Sequence, residues 1–139
     1  MYYTKNEINK LCYEILSCAI EVQKVLGPGL LESIYEKCLI FELESRGFEV
    51  RSQIELPLLY KGHYLETHLK LDLLVEDIVI VELKSVEAFI PIHSAQILSH
   101  LNLMAKPKGI LINFNTTNII KEGHKTFVTQ KFADLPDGY

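Results

Sequence analysis

The chain has no tryptophan, only three cysteines and no apolar run long enough to cross a bilayer. A membrane-spanning helix needs about 20 consecutive apolar residues, so that class of protein is excluded. Cys12, Cys18 and Cys38 show no CxxC spacing and leave an odd count. They fall at apolar positions of predicted helices, which suggests reduced, buried thiols and a cytoplasmic location rather than zinc or disulfide chemistry. The first ten residues, MYYTKNEINK, lack the apolar segment of a signal peptide. Gly27-Pro28-Gly29 lacks the trailing Lys-Ser/Thr of a phosphate-cradling loop. There are no repeats, low-complexity tracts or linkers, and no serine or cysteine nucleophile arrangement.

An excess of positive charge is also missing. Fourteen Lys and Arg stand against 18 Asp and Glu, a net charge of −4. Proteins that bind nucleic acid usually carry a basic surface. Any such affinity here must be weak and come from local groups, such as Lys106 and Lys108, or Lys121, His124, Lys125 and Lys131. Either cluster alone reads first as ordinary solvated surface.

What is present is ample core material. Of 139 residues, 48% are hydrophobic, and a chain this size buries about two-thirds of its unfolded surface. The length suits one domain, 1–139, with 134–139 as a loose tail. Thr4-Lys5-Asn6-Glu7 reads as a capping box. Ile8, Leu11, Cys12, Ile15, Ala19, Val22 and Leu26 then follow helical spacing up to Gly27. A second helix is expected over Leu30 to Arg46, with Leu31, Ile34, Tyr35, Cys38 and Leu39 on one face and Gly47 as its cap. Phe48 to Tyr60 alternates as one strand, and Lys61-Gly62 turns the chain. Pro91 opens a helix to about Met104. Gly109 to Phe114 reads as a buried strand, and Thr126 to Gln130 as an edge strand.

The decisive segment is LDLLVEDIVIVELKS, residues 71 to 85. Two apolar runs rich in Leu, Val and Ile flank the acidic Glu76-Asp77, which predicts two buried strands. Such strands should not hold Asp72, Glu82 and Lys84 unless these groups are paired or bind a metal. Glu82 and Lys84 share a face because side chains alternate. A turn of Glu76-Asp77-Ile78 pairs Val75 with Val79 and sets Asp72 opposite Glu82. A two-residue turn would put Glu82 on the other side. Opposed carboxylates, with Cβ atoms about 4.5–5.5 Å apart, would repel unless a cation lay between them. Two carboxylates suit Mg²⁺ or Mn²⁺. Such an ion lowers the pKa of its water and neutralises charge developing on a phosphate. A plain acid–lysine ion pair at a sheet end stands as the alternative.

The D…ExK arrangement resembles the PD-(D/E)XK nuclease superfamily, with its restriction-endonuclease-like fold. GLLESIY, Gly29 to Tyr35, is similar to the GxxExxY signature of a small family within it, and LPLLYKG, VELKSVE, HSAQILSHL and GILINFN extend the likeness. The resemblance implies an α/β fold: a mixed central sheet flanked by helices, core order αβββαβ, with one extra N-terminal helix. It implies a Mg²⁺- or Mn²⁺-dependent nuclease, DNA favoured over RNA as partner, with a homodimer or a partner protein by analogy. Asp72 and Glu82 would be metal ligands, with the Leu83 carbonyl a third. Lys84 would be the catalytic lysine, and Glu32 would reach the metal shell. Gln96 would border the site. His100 stands where relatives often carry tyrosine, Lys70 where they carry arginine, and Leu71 where they carry proline. The second reading is a non-catalytic module that keeps the fold and binds nucleic acid or protein. His93 and Tyr35 read as structural, and Glu36 as a solvated charge.

Overall fold

The computed structural model describes residues 3–138. Met1, Tyr2 and Tyr139, the ends of the expected domain and tail, lie outside the described residues. Helix α1 spans Lys5–Leu26. Thr4 Oγ1 accepts from the Glu7 N–H at 3.1 Å, and the Glu7 carboxylate accepts from the Thr4 N–H at 3.3 Å, so the capping box forms as expected. Helix α2 spans Glu32–Ser45 and is shorter than its sequence pattern implies. Leu31 is extended, sits outside the helix as its N-cap and is 73% exposed. The buried stripe is Tyr35, Leu39 and Leu43, not the expected face that included Leu31 and Ile34. Tyr35 stacks on Phe114 with ring centroids 4.5 Å apart. Its hydroxyl donates to the Gly27 carbonyl at 2.6 Å and accepts from the Leu30 N–H at 3.1 Å. That hydroxyl therefore braces the glycine loop ahead of α2.

The expected strand from Phe48 to Tyr60 is two strands. β1 spans Val50–Glu55 and β2 spans Leu58–Tyr60. Pro57 divides them, because proline has no N–H for a ladder and restricts the residue before it. Leu56 stays buried and its N–H donates to the Leu69 carbonyl at 2.8 Å. β2 pairs only with β3, His63–Leu65, in a separate two-stranded sheet. Lys61 and Gly62 make its turn with φ of 50° and 81°, a conformation that two-residue hairpin loops require.

β4 (Lys70–Val75), β5 (Val79–Lys84), β6 (Lys108–Asn113) and β7 (His124–Val128) complete the main sheet. Its order is β1-β4-β5-β6-β7. β5 and β6 run parallel through the crossover helix α3, Pro91–Met104, and the other neighbours are antiparallel. α1 and α2 cover one face over Leu73, Val75, Val81, Leu83 and Ile112. α3 covers the other through Ile97 and Leu101 over Leu74, Ile80 and Leu111. This is the α/β, restriction-endonuclease-like arrangement: a mixed sheet flanked by helices, the αβββαβ core interrupted by the small hairpin.

Two one-turn helices, α4 (Ile119–Glu122) and α5 (Gln130–Ala133), bracket β7. The segment expected to hang loose is tied down over its described residues. The Pro136 and Asp137 carbonyls accept from the Lys5 and Asn6 N–H groups at 2.8 and 3.0 Å, donors that a helix start otherwise leaves unpaired. Among the described residues no helix is long and apolar enough to cross a membrane.

Candidate active site

The β4–β5 hairpin sets the site. Val75 pairs with Val79, Leu74 with Ile80 and Leu73 with Val81. The turn is the three residues Glu76, Asp77 and Ile78, with Glu76 and Asp77 at φ of 53° and 57°. Continuing this register sets Asp72 across from Glu82, as the charge argument requires. The regular ladder stops one step short. The Asp72 Oδ2 atom accepts the Leu83 N–H at 2.8 Å, so a carboxylate stands in where a strand carbonyl would be expected. The two strands are bridged by a side chain at the point where they cease to be paired by backbone.

Glu32 and Ser85 join the helical layer to this end of β5. Glu32 is the first residue of α2, where a carboxylate is favoured by the helix dipole. Its Oε1 atom accepts from the Ser85 N–H at 3.3 Å, and Ser85 Oγ donates to the Leu30 carbonyl at 2.7 Å. Asn113, at the end of β6, fixes the chain after Lys84. Its Oδ1 accepts from the Val86 N–H at 3.1 Å and its Nδ2 donates to the Val86 carbonyl at 2.9 Å.

A cleft of about 220 Å³ is lined by Glu32, Asp72, Glu82, Lys84, Gln96 and His100, together with Leu69, Lys70 and His93. An adjoining cleft of about 190 Å³ is lined by Glu32, Glu36, Gln53, Asp72 and Leu83. Asp72 thus faces two openings. Four of the expected side chains and Gln96 share one cavity, while Leu83 belongs to the second. Gln96 is exposed on α3 and lines the mouth. His93 Nδ1 accepts from the Ile90 N–H at 3.2 Å, which closes the first turn of α3.

The electrostatics are those of crowded acids. Asp72 is pushed up from 3.8 to about 6, first by burial and then by Glu82, Glu36 and Glu32; the Leu83 N–H opposes the rise. Glu36, expected to be a solvated charge, is half-buried and accepts from Gln53 Nε2 at 2.7 Å. Sequence reasoning gave His100 no role beyond standing where relatives often carry tyrosine. Glu82 is 8% exposed and His100 7%, and the His100 Nδ1 atom contacts Glu82 Oε1 directly. The available signal was spacing: His100 lies one helical turn beyond Gln96. Lys84 has no carboxylate within 4.0 Å among the described residues, so the simple acid–lysine ion pair is not what this sheet end holds.

A family model described as the PD-(D/E)XK nuclease superfamily matches residues 9–127. The chain belongs to that superfamily. No curated protein and no solved structure matches it. PD-(D/E)XK members are usually nucleases and generally use divalent metal ions. The donor set fits such an ion. Asp72 and Glu82 offer hard oxygens, and a cation would offset both the burial that chiefly raises Asp72 and the smaller repulsion from Glu82. Among the described residues no three His, Cys, Asp or Glu side chains form a cage by themselves. The remaining positions would fall to backbone carbonyl, water and substrate oxygens, as is usual for Mg²⁺.

Proposed function

We propose that this PD-(D/E)XK protein is a Mg²⁺- or Mn²⁺-dependent nuclease that hydrolyses phosphodiester bonds, with DNA the favoured substrate, and that it belongs to the GxxExxY branch through Gly29, Glu32 and Tyr35. The observation that carries this reading is the hairpin register that brings Asp72, Glu82 and Lys84 to one cleft.

Asp72 and Glu82 would hold the ion with the Leu83 carbonyl. When bound, the ion supplies charge neutralisation at the scissile phosphate and acidifies its water. Lys84, with no carboxylate partner among the described residues, orients the attacking water and stabilises the charge that builds on the phosphate oxygens. Glu32 holds the Ser85 N–H and so fixes the residue after Lys84. Gln96 lies at the cleft mouth, where a phosphate would enter. His100 acts as a positioning residue: it occupies one Glu82 oxygen and leaves the other for the ion.

The binding-module alternative draws on the same contact, because His100 takes up a Glu82 oxygen that the enzyme reading would otherwise offer to the ion. Incubating plasmid, single-stranded DNA and RNA with Mg²⁺ or Mn²⁺ separates the two. Cleavage that needs the ion and disappears in Lys84→Ala supports the enzyme. Absence of cleavage across the panel, or cleavage unchanged in Lys84→Ala, rejects it.

A further inference from the structure

The β2–β3 hairpin is the part of the fold that the catalytic reading leaves without a purpose. Among the described residues it pairs with no other strand, and a lone two-stranded hairpin is marginal in water. Yet it displays large apolar side chains. Tyr60 is 57% exposed and Tyr64 80%, beside exposed Leu59 and Leu65. Tyr64 lies opposite Leu59, and Tyr60 opposite His63, so each face of the ribbon carries one ring. Lys61 at the tip places its ammonium 5.5 Å from the Tyr60 ring centroid. The hairpin also leads straight into the site. The chain leaving β3 reaches Leu69 and Lys70, which line the cleft of Asp72 and Glu82. The path from Tyr64 to Lys70 spans at most about 20 Å when extended.

We propose that this hairpin is a wing that grips an unpaired nucleic-acid strand, stacking bases on Tyr60 and Tyr64 and leading the backbone past Lys61 and Lys70 to the cleft. The inference rests on the nuclease reading for the direction of the strand. Charge selects the occupant. Lys61 and Lys70 flank the path with the exposed Glu66 between them, too few positive charges for a duplex held through its phosphates alone, whereas stacking asks only for exposed rings and is open to unpaired bases. Two lysines along the path imply a shallow salt dependence, with a slope of about −1.4 in log affinity against log salt for a single strand.

The test measures binding of labelled single-stranded and duplex oligonucleotides by anisotropy, using full-length Lys84→Ala to prevent turnover, and cleavage by the unmutated protein in parallel. Expected is a preference for the single strand, a slope near that value, and a loss of about tenfold or more per ring in Tyr60→Leu and Tyr64→Leu. Tyr60→Phe and Tyr64→Phe keep the ring and should bind as before, which separates stacking from loss of fold. Leu variants that bind like the parent overturn the wing, as does a duplex preference. So does a tyrosine-dependent dimer on gel filtration whose disruption leaves oligonucleotide binding unchanged; that surface would then be a protein interface. Cleavage that persists with an unchanged KM in the Leu variants overturns the wing and leaves the nuclease standing. Tyrosine-dependent single-strand binding with no cleavage on any substrate supports the wing and rejects the nuclease.

Discussion

The two ends of the β4–β5 hairpin are built from the same two strands and obey different rules. Near the turn, Leu73 to Val75 pair with Val79 to Val81 in regular register, and all six residues are buried. Stability there comes from a closed ladder and apolar packing on both faces. At the far end the ladder gives way, Asp72 holds the Leu83 N–H with a carboxylate, and acidic groups crowd together. The first end holds the strands in place. The second spends some of that stability on a cleft in which charge is concentrated. Substitutions at the two ends should therefore separate stability from activity.

The largest effect is expected at Lys84. Lys84→Ala should lower the rate of cleavage by roughly 10²–10³-fold, as loss of one transition-state stabiliser does, with its thermal midpoint little changed. Calorimetric scanning beside a cleavage assay checks both halves. Leu73→Ala, at the closed end, should do the opposite. It removes a fully buried side chain and should cost about 2–5 kcal/mol of stability, while activity per folded molecule is retained; urea unfolding reads the loss. An activity loss in Leu73→Ala as large as that of Lys84→Ala would dissolve the contrast.

His100→Ala is expected to weaken metal binding by about 10–100-fold, the usual cost of removing a group that orients a ligand. His100→Gln, which can still donate to Glu82, should recover part of it in a Mn²⁺ titration. A merely structural histidine would show equal loss of stability in both variants and no difference in ion affinity.

The smallest effect concerns pH and the ion-free protein. Asp72 ionises at about 6 in the folded chain against 3.8 ordinarily. Below about pH 6 the folded state takes up a proton that the unfolded chain takes up only near pH 4. This group's contribution therefore favours the folded state as pH falls through that window, and the gain is lost as pH rises back through 6. The shift corresponds to at most about 3 kcal/mol, reduced to roughly 1–2 kcal/mol by partial exposure. Asp72→Asn should keep the Leu83 hydrogen bond, stabilise the ion-free protein by that amount above pH 7 and remove the pH step. Urea midpoints between pH 4 and 8 test it.

The closed end and its three-residue turn were legible in the sequence, because apolar runs and a conflict between two carboxylates leave few ways to pair the strands. The start of α1 was legible for a local reason: Thr4 and Glu7 satisfy each other within one turn. What escaped depends on distant parts of the chain. His100 meets Glu82 only once α3 has packed across the sheet. Glu36 bears on Asp72 only because α2 docks across β1 and β5. The Pro136 and Asp137 carbonyls cap a helix at the opposite end of the chain, and no local pattern announces such a partner. Pro57 was in plain view, but the alternation of Phe48 to Tyr60 outweighed it, and the separate hairpin was missed.

The central claim is that the open end of this hairpin is a cation site built by Asp72 and Glu82. Isothermal calorimetry of Mn²⁺ binding at pH 7.5, on the parent protein and on Asp72→Asn, addresses it most directly. The account predicts saturable binding to the parent and its loss in the folded Asp72→Asn protein. Equal binding by the two proteins, or no binding to the parent at millimolar Mn²⁺, would contradict it.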